Sequence, residues 1–413
     1  MSTIPSRATL WRVSIAIFLA ALLYRVAWVI VTDQVHQFPL KEMVRTGRTF
    51  AERGELADPF VIPTGPTAHI PPLYPMFLGV LFKLFGTGVP AEIVKCLVTC
   101  VVSALRCALM PLLAVRMGLS LRTGVIAGLI GAVYINALST EVKGDWAESY
   151  GALALVLMVF AAIEIARRNE LRLKRAAVLG FWWGLILLLM PNLLTVLLGF
   201  LAVGGLRFLH REPRRYLAWS AVLLVVTAIT ISPWPIRNQI RLGSPVWAKD
   251  NFGMVMLISN RPGASWSTYD NDPYIHTGIP TRDANQARKL KQMGEIAYNR
   301  AQLGQALAWI RAEPWAFVWL SVQRAFHFWF PLGRNLAHTT VEWGLTLLAF
   351  PGLYLLYQRN RVAALLILSM WLLYPWPYYI TEWSSRFRQP IAWTMTLTAA
   401  VTIERALRRQ SPE

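Results

Sequence analysis

The sequence predicts an all-α, polytopic membrane fold: a bundle of about ten to twelve membrane-crossing helices with further helices at the membrane surface. Three observations carry that prediction. Hydrophobic residues make up 55% of the 413 and charged residues only 15%, where soluble chains carry about a quarter charged residues. Several apolar runs reach the roughly 20 helical residues that cross a bilayer. Those runs are continuous rather than alternating, which selects helices over a barrel as the way to satisfy backbone in lipid.

The first run, about residues 11–31, follows Arg7 and Arg12 and is expected to stay attached, with its start in the cytoplasm. A polar stretch from Asp33 to His69 leads to a short apolar helix ending at Phe85-Gly86, too short to span and expected at the surface or re-entrant. Spans are expected at about 92–115, 123–140 and 148–166, the last ending in the basic loop Arg167–Arg175. Residues 176–208 are too long for one span and hold Met190-Pro191-Asn192 at their middle, so two short spans should meet there. A span at about 216–232 should lead out to Pro233-Trp234-Pro235. The segment 233–314 reads as external, loop-like at first and then one helix over about 284–312 that Pro314 ends. The Trp-rich run 315–330 should lie along the outer interface, where Trp is favoured. Spans at about 341–357, 362–380 and 389–405 finish the chain and put its C-terminus in the cytoplasm.

Three regions result: 1–232, an N-terminal transmembrane module with its first external loop and juxtamembrane helices at about 32–90; 233–338, an external loop and helix segment; and 339–413, a C-terminal transmembrane module. The net charge of +19 sits in short loops between apolar runs. That is the positive-inside pattern, so nucleic acid is excluded as the partner it would suggest in a soluble protein. Cys96, Cys100 and Cys107 share one apolar run and imply packing, neither a disulfide framework nor a metal site.

Five motifs fall on the external side. Glu42 opens a short helix after the first span; held near a cation it would serve as a general base, and alone it is a surface acid. The run Thr64-Gly-Pro-Thr-Ala-His69-Ile-Pro-Pro72-Leu-Tyr74-Pro is a stiff surface loop suited to a docking wall or to a plain helix entrance. Asp145 and Glu148 stand at the outer end of a span, as functional acids or as complements to a helix dipole. Arg237, in Pro233-Trp-Pro-Ile-Arg-Asn238, reads as a phosphate ligand or an interfacial anchor. Last come Tyr379, Glu382, Arg386 and Arg388. Two external arginines break the positive-inside trend, and a phosphate is the partner their multi-donor forks suit; lipid headgroups or Glu382 are the alternatives.

The ordered set of these motifs, with Lys83-Leu-Phe-Gly86 and Tyr378-Tyr-Ile-Thr-Glu-Trp-Ser-Ser-Arg-Phe-Arg-Gln-Pro390, resembles bacterial GT-C glycosyltransferases related to the protein O-mannosyltransferases and the lipid A aminoarabinose transferases. The resemblance implies inverting transfer of a sugar from a polyprenyl-phosphate carrier to a hydroxyl of a lipid, glycan or protein, on the outer face of a bacterial inner membrane. It implies Glu42 as base, Asp145 or Glu148 as a second acid, and Arg386 and Arg388 at the donor phosphate. From the residues themselves, Arg237 is expected to join them at the phosphate and His69, Pro72, Tyr74, Tyr379 and Glu382 to form the pocket wall. No cofactor is required by this chemistry, though the two acids are compatible with a divalent metal. The sequence departs from the family where Lys41 precedes a lone first-loop Glu and where Ile70 stands before the Pro pair. A lipid or glycan transporter and a non-catalytic assembly protein with the same fold are the competing readings.

Overall fold

The computed structural model describes residues 6–37, 41–134, 138, 141–332 and 335–410. The expected span at 123–140 therefore runs partly outside the described residues. Six helices among those described are long and apolar enough to cross a membrane: Arg7–Val31, Val89–Arg116, Glu148–Arg168, Pro191–Phe208, Pro213–Leu242 and Arg361–Ile380. Every other expected span also coincides with a helix, but a shorter or more polar one: Leu121–Val133, Leu173–Leu189, Leu336–Arg359 and Gln389–Gln410. The short surface helix is Leu73–Phe85.

The last helix has little hydrophobic character because it meets protein rather than lipid. Residues 388–401 are all buried. Its threonines close onto their own backbone, Thr394 donating to the Ile391 carbonyl at 2.6 Å and Thr398 to that of Thr394 at 2.9 Å. Helices 121–133, 148–168 and 336–359 pack around it. Ile391, Trp393, Met395 and Leu397 join the main core there.

Two expectations need correction. Pro233 starts a further helix, Pro233–Leu242, rather than a loop, because proline is tolerated in a first turn. The single helix expected over 284–312 is two, Ala284–Met293 and Glu295–Ala312, broken at Gly294 with φ +81°. The external helices have a small core of their own, in which Phe60 of the first loop packs with Met254, Ile258, Leu290 and Tyr298. Helix Pro314–Trp329 buries Leu320, Arg324 and Phe328 on one face and exposes Trp315, Trp319, Val322 and Phe326 on another.

Candidate functional site

Glu42 is the first residue of helix Glu42–Arg53, after Lys41 in extended conformation. An acid there complements the positive helix end. The helix crosses Leu73–Phe85 at a close approach of Gly47 and Gly79. A Cβ on Gly79 would lie 2.5 Å from Phe50 Cδ1 and 2.9 Å from the Gly47 carbonyl, so the crossing that seats Glu42 has no room for a larger residue.

The Pro-rich loop is fixed from several sides. Asp58 adopts φ 57° and accepts from the Thr64 and Gly65 amides, both at 2.8 Å. Buried Glu295 accepts from Thr67 Oγ1 at 2.5 Å and from the Ala68 amide at 2.7 Å. Burial, reinforced by nearby Asp250, raises the Glu295 pKa to about 8, against the hydrogen bonds that favour its charge. Arg237 donates to the carbonyls of Thr67 and Leu56, each at 2.7 Å. This loop delivers His69, almost wholly buried, edge-on to Phe60. Burial lowers the His69 pKa to about 4, with Glu42 opposing and Lys249 reinforcing the shift.

Glu42 and Arg386 both act electrostatically on Lys41, and Arg386 pairs with Glu148. The Arg386 guanidinium lies 3.8 Å from the ring centre of Trp146 and 3.8 Å from Glu148 Oε1. Its neighbour Phe387 stacks on Tyr378 at 4.6 Å, and the Phe387 carbonyl accepts from Tyr374 at 2.9 Å. Lys249 is a second cation beside Arg386 and Glu148, carried on a strap held at both ends. Asn238 donates to the Val246 carbonyl and Trp234 to that of Ala248, both at 2.9 Å. The Asp250 amide donates to the Ala68 carbonyl at 2.7 Å, and Asn299 to the Asp250 carbonyl at 2.8 Å. Lys249 is solvent-exposed, yet desolvation lowers its pKa to about 8, with Arg386 reinforcing and Glu148 opposing. Burial also lowers the Lys41 pKa, with Glu42 and Asp145 opposing and Arg282 and Arg386 reinforcing. The fields of the acid at the start of the chain and of the arginine near its end thus meet on the same side chain.

The remaining site expectations divide. Arg388 does not share the partners of Arg386. The two stand two residues apart on the 3₁₀ turn Ser385–Arg388, where about three residues make a turn, so their side chains diverge by about 120°. Arg388 is buried against Glu342, with further bonds to Tyr134 at 2.9 Å and the Trp329 carbonyl at 3.1 Å. Arg237 is committed to the carbonyls it ties, and Tyr74 is core, its hydroxyl donating to the Gly144 carbonyl. Asp145 is neutralised by buried Lys95 at 2.7 Å, which also holds Glu92 at 2.7 Å. Pro72 caps its helix and is buried. Tyr379 is half-buried and accepts from Trp329 at 2.8 Å. Glu382 is buried, and burial raises its pKa to about 7 against Arg386 and Arg324. Among the described residues no group of three or more His, Cys, Asp or Glu is placed to hold a metal. Sequence reasoning missed Lys249 as a site cation. Like Arg386 it is a cation in an external segment, so the broken charge trend was the signal that could have found it.

The chain's backbone superposes on those of solved membrane enzymes. It matches the archaeal oligosaccharyltransferase AglB from Archaeoglobus fulgidus, in complex with an inhibitory peptide and a dolichol-phosphate, with TM-score 0.54 and 14% identity over 97% of this chain and 52% of that one. The apo form of the Archaeoglobus fulgidus oligosaccharyltransferase gives TM-score 0.58 and 14% identity over 96% and 51%. The fold is GT-C-like. This chain spans about half the length of those oligosaccharyltransferases. ArnT from Cupriavidus metallidurans, bound to undecaprenyl phosphate, aligns with TM-score 0.44 and 14% identity over 95% of this chain and 78% of that one. No protein-family profile matches the chain, and no curated protein matches its sequence.

Proposed function

We propose that this GT-C-like protein transfers a sugar from a polyprenyl-phosphate carrier to an acceptor hydroxyl, with inversion, on the outer face of a bacterial inner membrane. The observation that carries the reading is electrostatic: Glu42 and Arg386 both act on Lys41, and Arg386 and Glu148 both act on Lys249. The fold neighbour in complex with a dolichol-phosphate supports a lipid-phosphate ligand for this architecture.

Glu42 accepts the proton of the acceptor hydroxyl. The freed oxygen forms its bond to the anomeric carbon from the side opposite the phosphate, and the bond from that carbon to the phosphate oxygen breaks. Negative charge grows on the departing polyprenyl phosphate, where Arg386 offers a planar fork and Lys249 a point charge. In the resting site the Trp146 ring holds the Arg386 guanidinium in place, while Glu148 at 3.8 Å is too far for a direct hydrogen bond and leaves its donors open to a phosphate. Neutral His69 forms part of the wall beside the base. The basic loops at the opposite end of the bundle put both termini in the cytoplasm.

The test compares wild type and Glu42→Gln for polyprenyl-phosphate sugars and surface glycans by mass spectrometry. Loss of the glycan product with accumulation of the lipid-linked sugar is expected for Glu42→Gln. A variant that keeps full transfer refutes the assignment. Unchanged lipid-linked sugars and glycans on deletion of the whole protein refute the activity.

A further inference from the structure

At the basic-loop end of the bundle, helices 148–168, 173–189, 194–208, 213–231 and 361–373 line a partly open cavity. Ala166 on its wall is 18 residues beyond Glu148 on one helix, about 27 Å along the axis. The lining is apolar, with Trp183, Phe200 and Leu366 among it, but it contains two polar side chains with unmet needs. Trp219 Nε1 and Arg207 Nε are buried donor atoms without an acceptor. An unmet donor in a low-dielectric interior is costly, so its presence at a cavity points to a ligand atom that accepts there. Tyr216, also on the wall, is already committed to the Leu201 carbonyl.

The two donors lie at different depths. Trp219 is six residues into its helix from Pro213, about 9 Å along the axis. Arg207 lies in the last turn of its own helix, beside the basic loops. A bilayer interface is about 5–8 Å thick on each side, so one membrane lipid spans both. Its acyl chain would enter the apolar cavity, an ester carbonyl would accept from Trp219, and its phosphate would face Arg207. Charge at the rim fits an anion. Arg172 and Arg175 surround Glu170, Arg167 and Arg168 surround Glu164, and Arg207 makes no ion pair among the described residues. A polyprenyl phosphate has the anion and the chain but no ester carbonyl, so it leaves Trp219 unmet.

We propose that this cavity is a binding site for the acyl chain and head of an anionic glycerophospholipid, independent of the chemistry assigned to the other end. Native mass spectrometry of the full-length protein in detergent tests it with phosphatidylglycerol, its diether analogue, phosphatidylcholine and undecaprenyl phosphate as probes. Phosphatidylglycerol should be retained over phosphatidylcholine, and Arg207→Gln should weaken it about tenfold and erase that preference. Trp219→Phe should weaken the diester but leave the diether unchanged. Ala166→Phe, which fills the cavity while leaving both donors in place, should displace every probe. Retention of all four lipids at equal strength, unaffected by Ala166→Phe, overturns the site. Undecaprenyl phosphate outcompeting phosphatidylglycerol and ignoring Trp219→Phe overturns the assignment of the occupant.

Discussion

Arg386 and Arg388 look equivalent in the sequence, and the structure makes opposite demands of them. Replacing Arg386 by Met removes a guanidinium held by the Trp146 ring at 3.8 Å and by Glu148. A preorganised group that stabilises developing transition-state charge contributes roughly 3 kcal/mol, and losing it should cut kcat/KM about 100-fold. The fold should survive, since the Arg386 side chain is partly exposed and the turn is held by Phe387 and Arg388. Replacing Arg388 by Met breaks its buried pair with Glu342, and breaking a buried pair costs about 3–5 kcal/mol of stability. The two variants should be separated by measuring tryptophan-fluorescence melting and turnover on one detergent preparation. Arg386→Met should melt like wild type with turnover nearly lost. Arg388→Met should melt far earlier and, in the fraction still folded at low temperature, turn over. An Arg388→Met protein of unchanged melting point and no activity refutes the division, as does an Arg386→Met protein that unfolds.

The Lys249 amine titrates at about 8, so its charge is present below that pH and lost above it. Turnover should fall on the alkaline side of pH 8 in wild type, Lys249→Arg should carry activity further into alkali, and Lys249→Met should lack that limb; identical pH–rate profiles for all three would exclude Lys249 from the site. Glu295 has a folded pKa raised to about 8, so its contribution to stability is greatest below its unfolded pKa and declines as pH rises towards 8. Glu295→Gln should flatten that decline in a melting series from pH 5 to 9, whereas Glu295→Ala should lose about 1–3 kcal/mol throughout, by leaving Thr67 and Ala68 unmet. Gly79→Val should force apart the two helices that seat Glu42 and lower turnover together with melting temperature, an outcome opposite to that of a surface substitution such as Lys83→Gln.

Much of the scaffold is legible before any coordinates because lipid imposes simple rules. The break at Pro191 and the short helix Leu73–Phe85 follow from run length and proline. The spacing of charges could not reveal which of them face one another. Asp145 and Glu148 are three apart, yet one is cancelled by Lys95 and the other faces Arg386. The polar helix 389–410 is equally illegible as a core element, since its burial depends on neighbours hundreds of residues away.

Composition and the run of apolar residues therefore determine, by themselves, a helical membrane protein and the segments that carry its unusual acids and arginines. Those features are local, and the cost of exposing backbone or charge to hydrocarbon acts on each segment separately. Tertiary structure alone decided that Arg386 meets Glu148 and Trp146 while Arg388 braces the bundle, that Arg386 and Glu148 act on Lys249, and that Trp219 and Arg207 border one cavity. Orientation on a single turn and meetings across the bundle arise from packing among distant segments, and no segment carries that information alone.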